Sequence, residues 1–110
     1  MQATFSSSIE SDVKIVILAE AQRQFETQDD WWREHRDAKE LFVDEFEQTL
    51  ALLSSTPEIG RAYRRARGKL IQRMLMKSTR FHVYYFHDRE NDLVEIHSVW
   101  GAVRGRGPAL

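Results

Sequence analysis

Arg73, His82, Tyr84 and His97 carry the side chains in this sequence best suited to chemistry, and they fall in three short runs of strand-forming residues. The runs are Leu70–Met76, Phe81–His87 and Leu93–Trp100, rich in Val, Ile, Tyr, Phe and Trp, and Glu95 interrupts the last of them as well. Arginine binds phosphate or carboxylate through paired hydrogen bonds. Two imidazoles near neutral pKa suit proton transfer in the cleavage of a ribose phosphodiester. A tyrosine can stack on a base or donate its hydroxyl. Taken singly, each histidine reads more simply as a cross-strand partner on a half-exposed sheet. His82, His87 and His97 have no cysteine or well-placed carboxylate to complete a ligand set, so neither a metal nor another cofactor is expected.

Side chains alternate across a strand, so parity assigns faces. Val94, Ile96 and Trp100 share one face of the last run, and Val83 and Tyr85 match them in the middle run. These five are expected beneath helices. Arg73, His82, Tyr84 and His97 then converge on the opposite, open face, with Phe86, Ile71 and Leu75 as apolar neighbours. Arg104 and Arg106 follow the last strand directly and can fold over its rim.

Val13–Leu18 is a β-branched run and predicts a first strand. From Ala19 the period becomes helical, with Ala21, Phe25 and Trp32 on one stripe, which predicts a helix over 19–35. Asp37 with Glu40 three residues on predicts the capped start of a second helix. Its stripe is Leu41, Phe42, Phe46, Leu50 and Leu53, and Ser54-Ser55-Thr56-Pro57 ends it. Trp32 is assigned to the core and Trp31 to a helix seam. Arg61–Lys69 reads as a basic connector with at most a helical turn. The fold class is α+β: β-α-α-β-β-β, a helical hairpin on a mostly antiparallel four-stranded sheet. Residues 1–12 are expected to form a frayed tail and 13–110 a single domain.

With 110 residues, 42% hydrophobic and 30% charged, the chain is large enough to bury a core without staples. It has no cysteine, which excludes disulfides and thiolate sites. No run reaches the roughly 20 apolar residues of a membrane helix, and no signal peptide is evident, so a cytoplasmic protein is expected. The net charge of −1 conceals a division. Residues 1–60 hold 13 acids and 5 bases (net −8), whereas residues 61–110 hold 11 bases and 4 acids (net +7). The basic half is suited to nucleic acid or to an acidic protein segment.

The order of these elements resembles the toxins of the RelE/ParE superfamily from bacterial type II toxin–antitoxin modules. The resemblance rests on several stretches in order: the opening strand before Ala19, Trp31-Trp32-Arg33, and Leu53 with Pro57-Glu58-Ile59-Gly60. Then come Arg80-Phe81-His82-Val83-Tyr84-Tyr85, Val94-Glu95-Ile96, Val99-Trp100-Gly101 and Arg104-Gly105. It implies a cognate antitoxin, acidic and partly disordered, encoded alongside, and an assembly that can form higher-order hetero-oligomers. It also implies one of two targets. RelE-like members cleave messenger RNA on the ribosome with basic sheet residues and often a late Tyr or His; Arg73, His82, Tyr84, His97 and Arg104 are the candidates here. No tyrosine follows Tyr85 and no histidine follows His97, so the C-terminal catalytic group is absent. ParE-like members bind DNA gyrase without chemistry of their own, and the departures favour that branch. Arg73, His82, Tyr84, Phe86, Arg104 and Arg106 are the expected surface for target or antitoxin. A non-toxic nucleic-acid-binding module ranks last, because no recognition-helix pattern is present.

Overall fold

The computed structural model describes residues 12–103 and 106–110. The elements are β1 (Lys14–Ile17), α1 (Ala19–His35), α2 (Leu41–Ser55), β2 (Arg61–Ala66), β3 (Lys69–Met76), β4 (Phe81–Asp88) and β5 (Leu93–Gly101). They build a five-stranded sheet in the order β1-β5-β4-β3-β2. β1 runs parallel to β5, and every other pair is antiparallel. The helices pack on one face over Val83, Tyr85, Val94, Ile96 and Val99, with Phe42, Phe46 and Leu53 facing them. Phe25 stacks on both Phe42 and Phe46, with ring centroids 5.4 and 4.6 Å apart, and locks the hairpin. None of the described helices is long and apolar enough to cross a membrane. Residues 1–11, most of the expected tail, lie outside the described residues, as does Arg104.

The sheet has one strand more than the sequence patterning predicts. Arg61–Ala66, read as a connector, is β2, an edge strand paired with β3. Only Ala and Tyr interrupt its arginines, so it lacks the apolar alternation of a strand with one buried face. Its turn is the legible signal. Arg67 and Gly68 both have positive φ (55° and 81°), the backbone of a two-residue primed hairpin.

Two further expectations are corrected. α2 starts at Leu41 rather than after an Asp37 cap, and Glu40 makes no side-chain cap bond. Trp32 Nε1 donates to Ala38 O at 2.9 Å and Lys39 N to Asp37 O at 2.9 Å, so 37–40 is held as a turn. Trp100 does not lie beneath the helices. β5 carries one extra residue, His97, between Ile96 (opposite Tyr85) and Ser98 (opposite Tyr84). This bulge inverts the parity beyond it. Val99 therefore faces Val83 in the core, and Trp100 stands opposite His82 on the other face. β1 accompanies β5 only as far as Ile96. Past that point Gln24 of α1 serves as the missing neighbour: its Oε1 accepts the Val99 N–H at 2.8 Å and the Ser98 hydroxyl at 2.9 Å.

Glu45 ties α2 to the turn between β3 and β4. Its carboxylate accepts Ser78 N at 2.8 Å, Thr79 N at 2.9 Å and Thr79 Oγ1 at 2.8 Å. Burial alone would raise its pKa, but these hydrogen bonds outweigh it and hold the group below its ordinary 4.5. A depressed carboxylate stabilises the fold above its unfolded pKa, and that contribution is lost as pH falls through the folded value. Glu45→Gln is expected to lower stability at pH 7 by about 1–2 kcal/mol, toward the low end for charged hydrogen bonds because water reaches the carboxylate. Urea melts from pH 7 to 3 check this: the variant should show a shallower loss of stability below pH 4.5 than the parent.

Candidate functional site

β3 and β4 bring Arg73 opposite Tyr84 and Leu75 opposite His82 on the face away from the helices. β5 adds Trp100 across from His82, and β2 adds Tyr63, which parity reasoning missed because the strand itself was missed. The Arg73 guanidinium lies 4.9 Å from the centre of the Tyr63 ring, and its Nη1 reaches the Tyr84 hydroxyl at 3.4 Å. The Tyr63 and Tyr84 rings meet edge to face at 4.9 Å, and His82 meets Tyr84 in the same manner at 5.8 Å. Arg73, His82 and Tyr84 thus do form one cluster.

The imidazole of His82 is set apart electrically. Its Nδ1 is buried with no hydrogen-bond partner among the described residues. Burial first, then the charges of Arg73 and Arg80, push its pKa below the ordinary 6.5, so the ring is neutral at pH 7.

His97 is not part of this cluster. Its Nε2 bonds Glu95 Oε1 at 3.1 Å, and the same oxygen receives Lys69 Nζ at 2.9 Å. Lys69 also stands 5.1 Å over the Phe86 ring, leaving Phe86 half-buried. Burial would raise the Glu95 pKa, but its bonds to Lys69 and His97 prevail and hold it below 4.5. His87 turns instead to Glu58, at 2.8 Å. The expected convergence of two imidazoles therefore does not occur.

Nor is the face open. Residues 106–110 return across it as a strap. Trp100 Nε1 donates to Arg106 O at 2.9 Å, and Pro108 is buried. Gly107 packs so closely on the Tyr63 hydroxyl that a side chain there would collide with it. Ala109 and Leu110 continue beside Ala66, Lys69 and His97. Tyr84, expected on the open face where it could stack on a base, is 2% exposed, and Ile71, expected as an apolar neighbour on that face, is fully buried. The Arg106 residue itself remains exposed.

A second concavity, of about 570 Å³, lies at the far end of α1. Trp31, Trp32, Arg36, Arg80, Phe81 and Val103 contribute to its lining. Trp31, assigned to a seam by its position on the helix, is 41% exposed. It stacks on His35 at 4.5 Å, with the Arg36 guanidinium 5.0 Å from its ring.

A helical hairpin on an antiparallel sheet closed by a parallel first strand, with a basic outer face, has the architecture of a RelE/ParE superfamily toxin. A chain of the toxin–antitoxin complex RelBE2 from Mycobacterium tuberculosis shares this fold, with a TM-score of 0.57 and 18% identity, covering 87% of this chain and 99% of that one. A family model described as the ParE toxin of type II toxin–antitoxin system, parDE, matches residues 15–104, and the chain belongs to that family. No curated protein matches the chain.

Proposed function

We propose that this toxin arrests growth by binding DNA gyrase and trapping its cleaved-DNA complex, with no bond-breaking chemistry of its own. The observation that carries the reading is the separation of the two imidazoles: His82 sits with Arg73 and Tyr84, whereas His97 is held by Glu95. A paired acid and base for phosphodiester cleavage is therefore not assembled. Family membership supports the same reading. The partner that silences the toxin is a cognate antitoxin, an acidic segment that orders on binding. It is accommodated on the basic outer face, with Leu75 and Phe86 as half-buried apolar anchors. Arg73, His82, Phe86, Arg104 and Arg106 make the contact surface for target and antitoxin together, and Tyr84, buried beneath residues 106–110, joins it only when that strap is displaced.

Expression of the toxin alone should arrest growth with a DNA-damage response, and purified gyrase should accumulate cleaved DNA in its presence. Intact DNA and normal supercoiling at saturating protein rule the reading out. Arg104→Ala with Arg106→Ala should abolish toxicity while leaving the thermal midpoint nearly unchanged, because Arg106 is exposed and exposed charges contribute little to stability. Full toxicity at equal expression would make these two arginines passive. One observation favours a second reading, ribosome-dependent cleavage of messenger RNA: the neutral His82 imidazole beside Arg73. Toeprinting decides between them, since new message ends abolished by His82→Ala would replace the gyrase reading.

A further inference from the structure

The edge formed by β2 carries Arg61, Arg64 and Arg65, and Arg67 stands at the tip of its hairpin. All four are exposed. The ion pairs among the described residues involve none of them. The bulge at Ala62/Arg64 sets Arg61 opposite Arg73 and Arg64 opposite Ile71, on the outer face, whereas Arg65 opposes Leu70 and leans to the other side. The guanidiniums therefore splay over both sides of one protruding edge.

A ridge charged on both flanks fits a groove whose two walls are both negative. The major groove of duplex DNA is about 12 Å wide and admits a two-stranded β-ribbon between phosphate walls. A single-stranded nucleic acid is a poorer fit, because such strands are held by exposed aromatic rings. The one ring of β2, Tyr63, is packed against Tyr84, Arg73 and Gly107. An acidic peptide is a poorer fit too, since protein partners need clustered apolar anchors, and beside its arginines the hairpin offers only Ala62 and Ala66 on β2 and the single exposed Leu70 on β3.

Arg67 adds an independent indication. Its φ of 55° is a left-handed conformation that disfavours any residue with a long side chain and suits Asn or Gly. A guanidinium held at the hairpin tip against that preference points to a use for it.

From these observations we infer that the β2–β3 hairpin is a sequence-independent contact to duplex DNA, inserting its arginine-flanked edge between phosphate walls. The inference rests on the gyrase reading for its setting: the toxin touches the DNA that gyrase holds as well as the enzyme. Because the chain's net charge is −1, whole-molecule attraction cannot supply such binding.

The test is fluorescence anisotropy of the full-length protein with a labelled duplex of about 20 base pairs, from 50 to 200 mM salt. Arg64→Gln with Arg65→Gln should weaken binding at least about ten-fold and reduce the slope of log affinity against log salt by about 2, near 0.9 per phosphate contact. Arg67→Asn should weaken binding and at the same time raise the thermal midpoint, a combination that a purely structural role for Arg67 does not produce. Duplex affinity and salt slope unchanged in the double variant would overturn the inference. So would tighter binding of a single strand, or displacement of the duplex by an equal charge of polyglutamate. Gyrase poisoning is scored separately: cleaved DNA without duplex binding removes this inference and leaves the gyrase reading, and the reverse result removes the gyrase reading alone.

Discussion

Gly60→Ala is expected to destabilise the fold by about 2–3 kcal/mol, at the upper end for overpacking a filled site. Gly60 enters β2 directly under the ring of Tyr85. A Cβ there would stand 2.5 Å from the Tyr85 hydroxyl, 2.8 Å from its ring carbon and 2.9 Å from Arg73 O. The ring and the β3 backbone are both parts of the core, so neither yields cheaply. The same approach carries hydrogen bonds. Gly60 N donates to the Tyr85 hydroxyl at 2.8 Å, that hydroxyl donates to Pro57 O at 2.9 Å, and Gln72 Nε2 donates to Gly60 O at 3.0 Å. Tyr85→Phe should cost about 1–3 kcal/mol by leaving the Gly60 and Pro57 groups unpaired. The double variant should cost less than the sum, since deleting the hydroxyl removes the shortest contact and the bonds are lost only once. Denaturant melts of the three variants measure this, and a loss under about 0.5 kcal/mol for Gly60→Ala contradicts the packing described. The hydroxyl also reports by titration. Burial pushes Tyr85 up to about 12, so the unfolded chain ionises first and the fold should lose stability from pH 10.0 upward. Tyr85→Phe should lose that part of the alkaline decline.

Gly107→Val is expected to lift the strap from the sheet and expose the cluster beneath it. The Tyr63 hydroxyl occupies the space a side chain would need, and Tyr63 is itself fixed by Arg73 and Tyr84. Once the strap leaves, Trp100 loses the Arg106 carbonyl that accepts its indole N–H. Tyr84, at 2% exposure, then gains access to water. Hydrogen exchange should show a faster Trp100 indole N–H, with the amides of α1 and α2 unchanged. If the antitoxin occupies this face, the intact strap is a competing state. Its removal should tighten antitoxin binding by about ten-fold where the displaced form is about a tenth of the population. Unchanged exchange at the Trp100 indole would mean that the strap tolerates the side chain, and unchanged affinity would mean that the antitoxin binds elsewhere.

The residues α1 uses could be read directly from the chain. Ala21, Phe25 and Trp32 repeat at helical spacing, and the helix spans Ala19–His35 as that period requires. The alternation in β4 likewise fixed Val83 and Tyr85 as core and His82 and Tyr84 as the other face, because period 2 is a property of the backbone alone. The grouping of Arg73 with His82 and Tyr84 followed from that parity plus antiparallel register.

Tertiary structure decided the rest, and in each case through a contact distant in sequence. The single extra residue at His97 reversed the faces of Val99 and Trp100, and nothing local marks it. β2 forms because β3 offers it an edge to pair with, so its arginines need no apolar alternation. Asp37 fails as a cap because Trp32 holds the turn that follows. Finally, whether Tyr84 meets solvent depends on Gly107 and Pro108, two residues of a tail whose arginines the sequence places at the rim but whose cover over the sheet exists only because the trough between Tyr63 and Trp100 receives it. Periodicity is written in neighbouring residues, whereas burial of an outer face is set by whichever distant segment covers it.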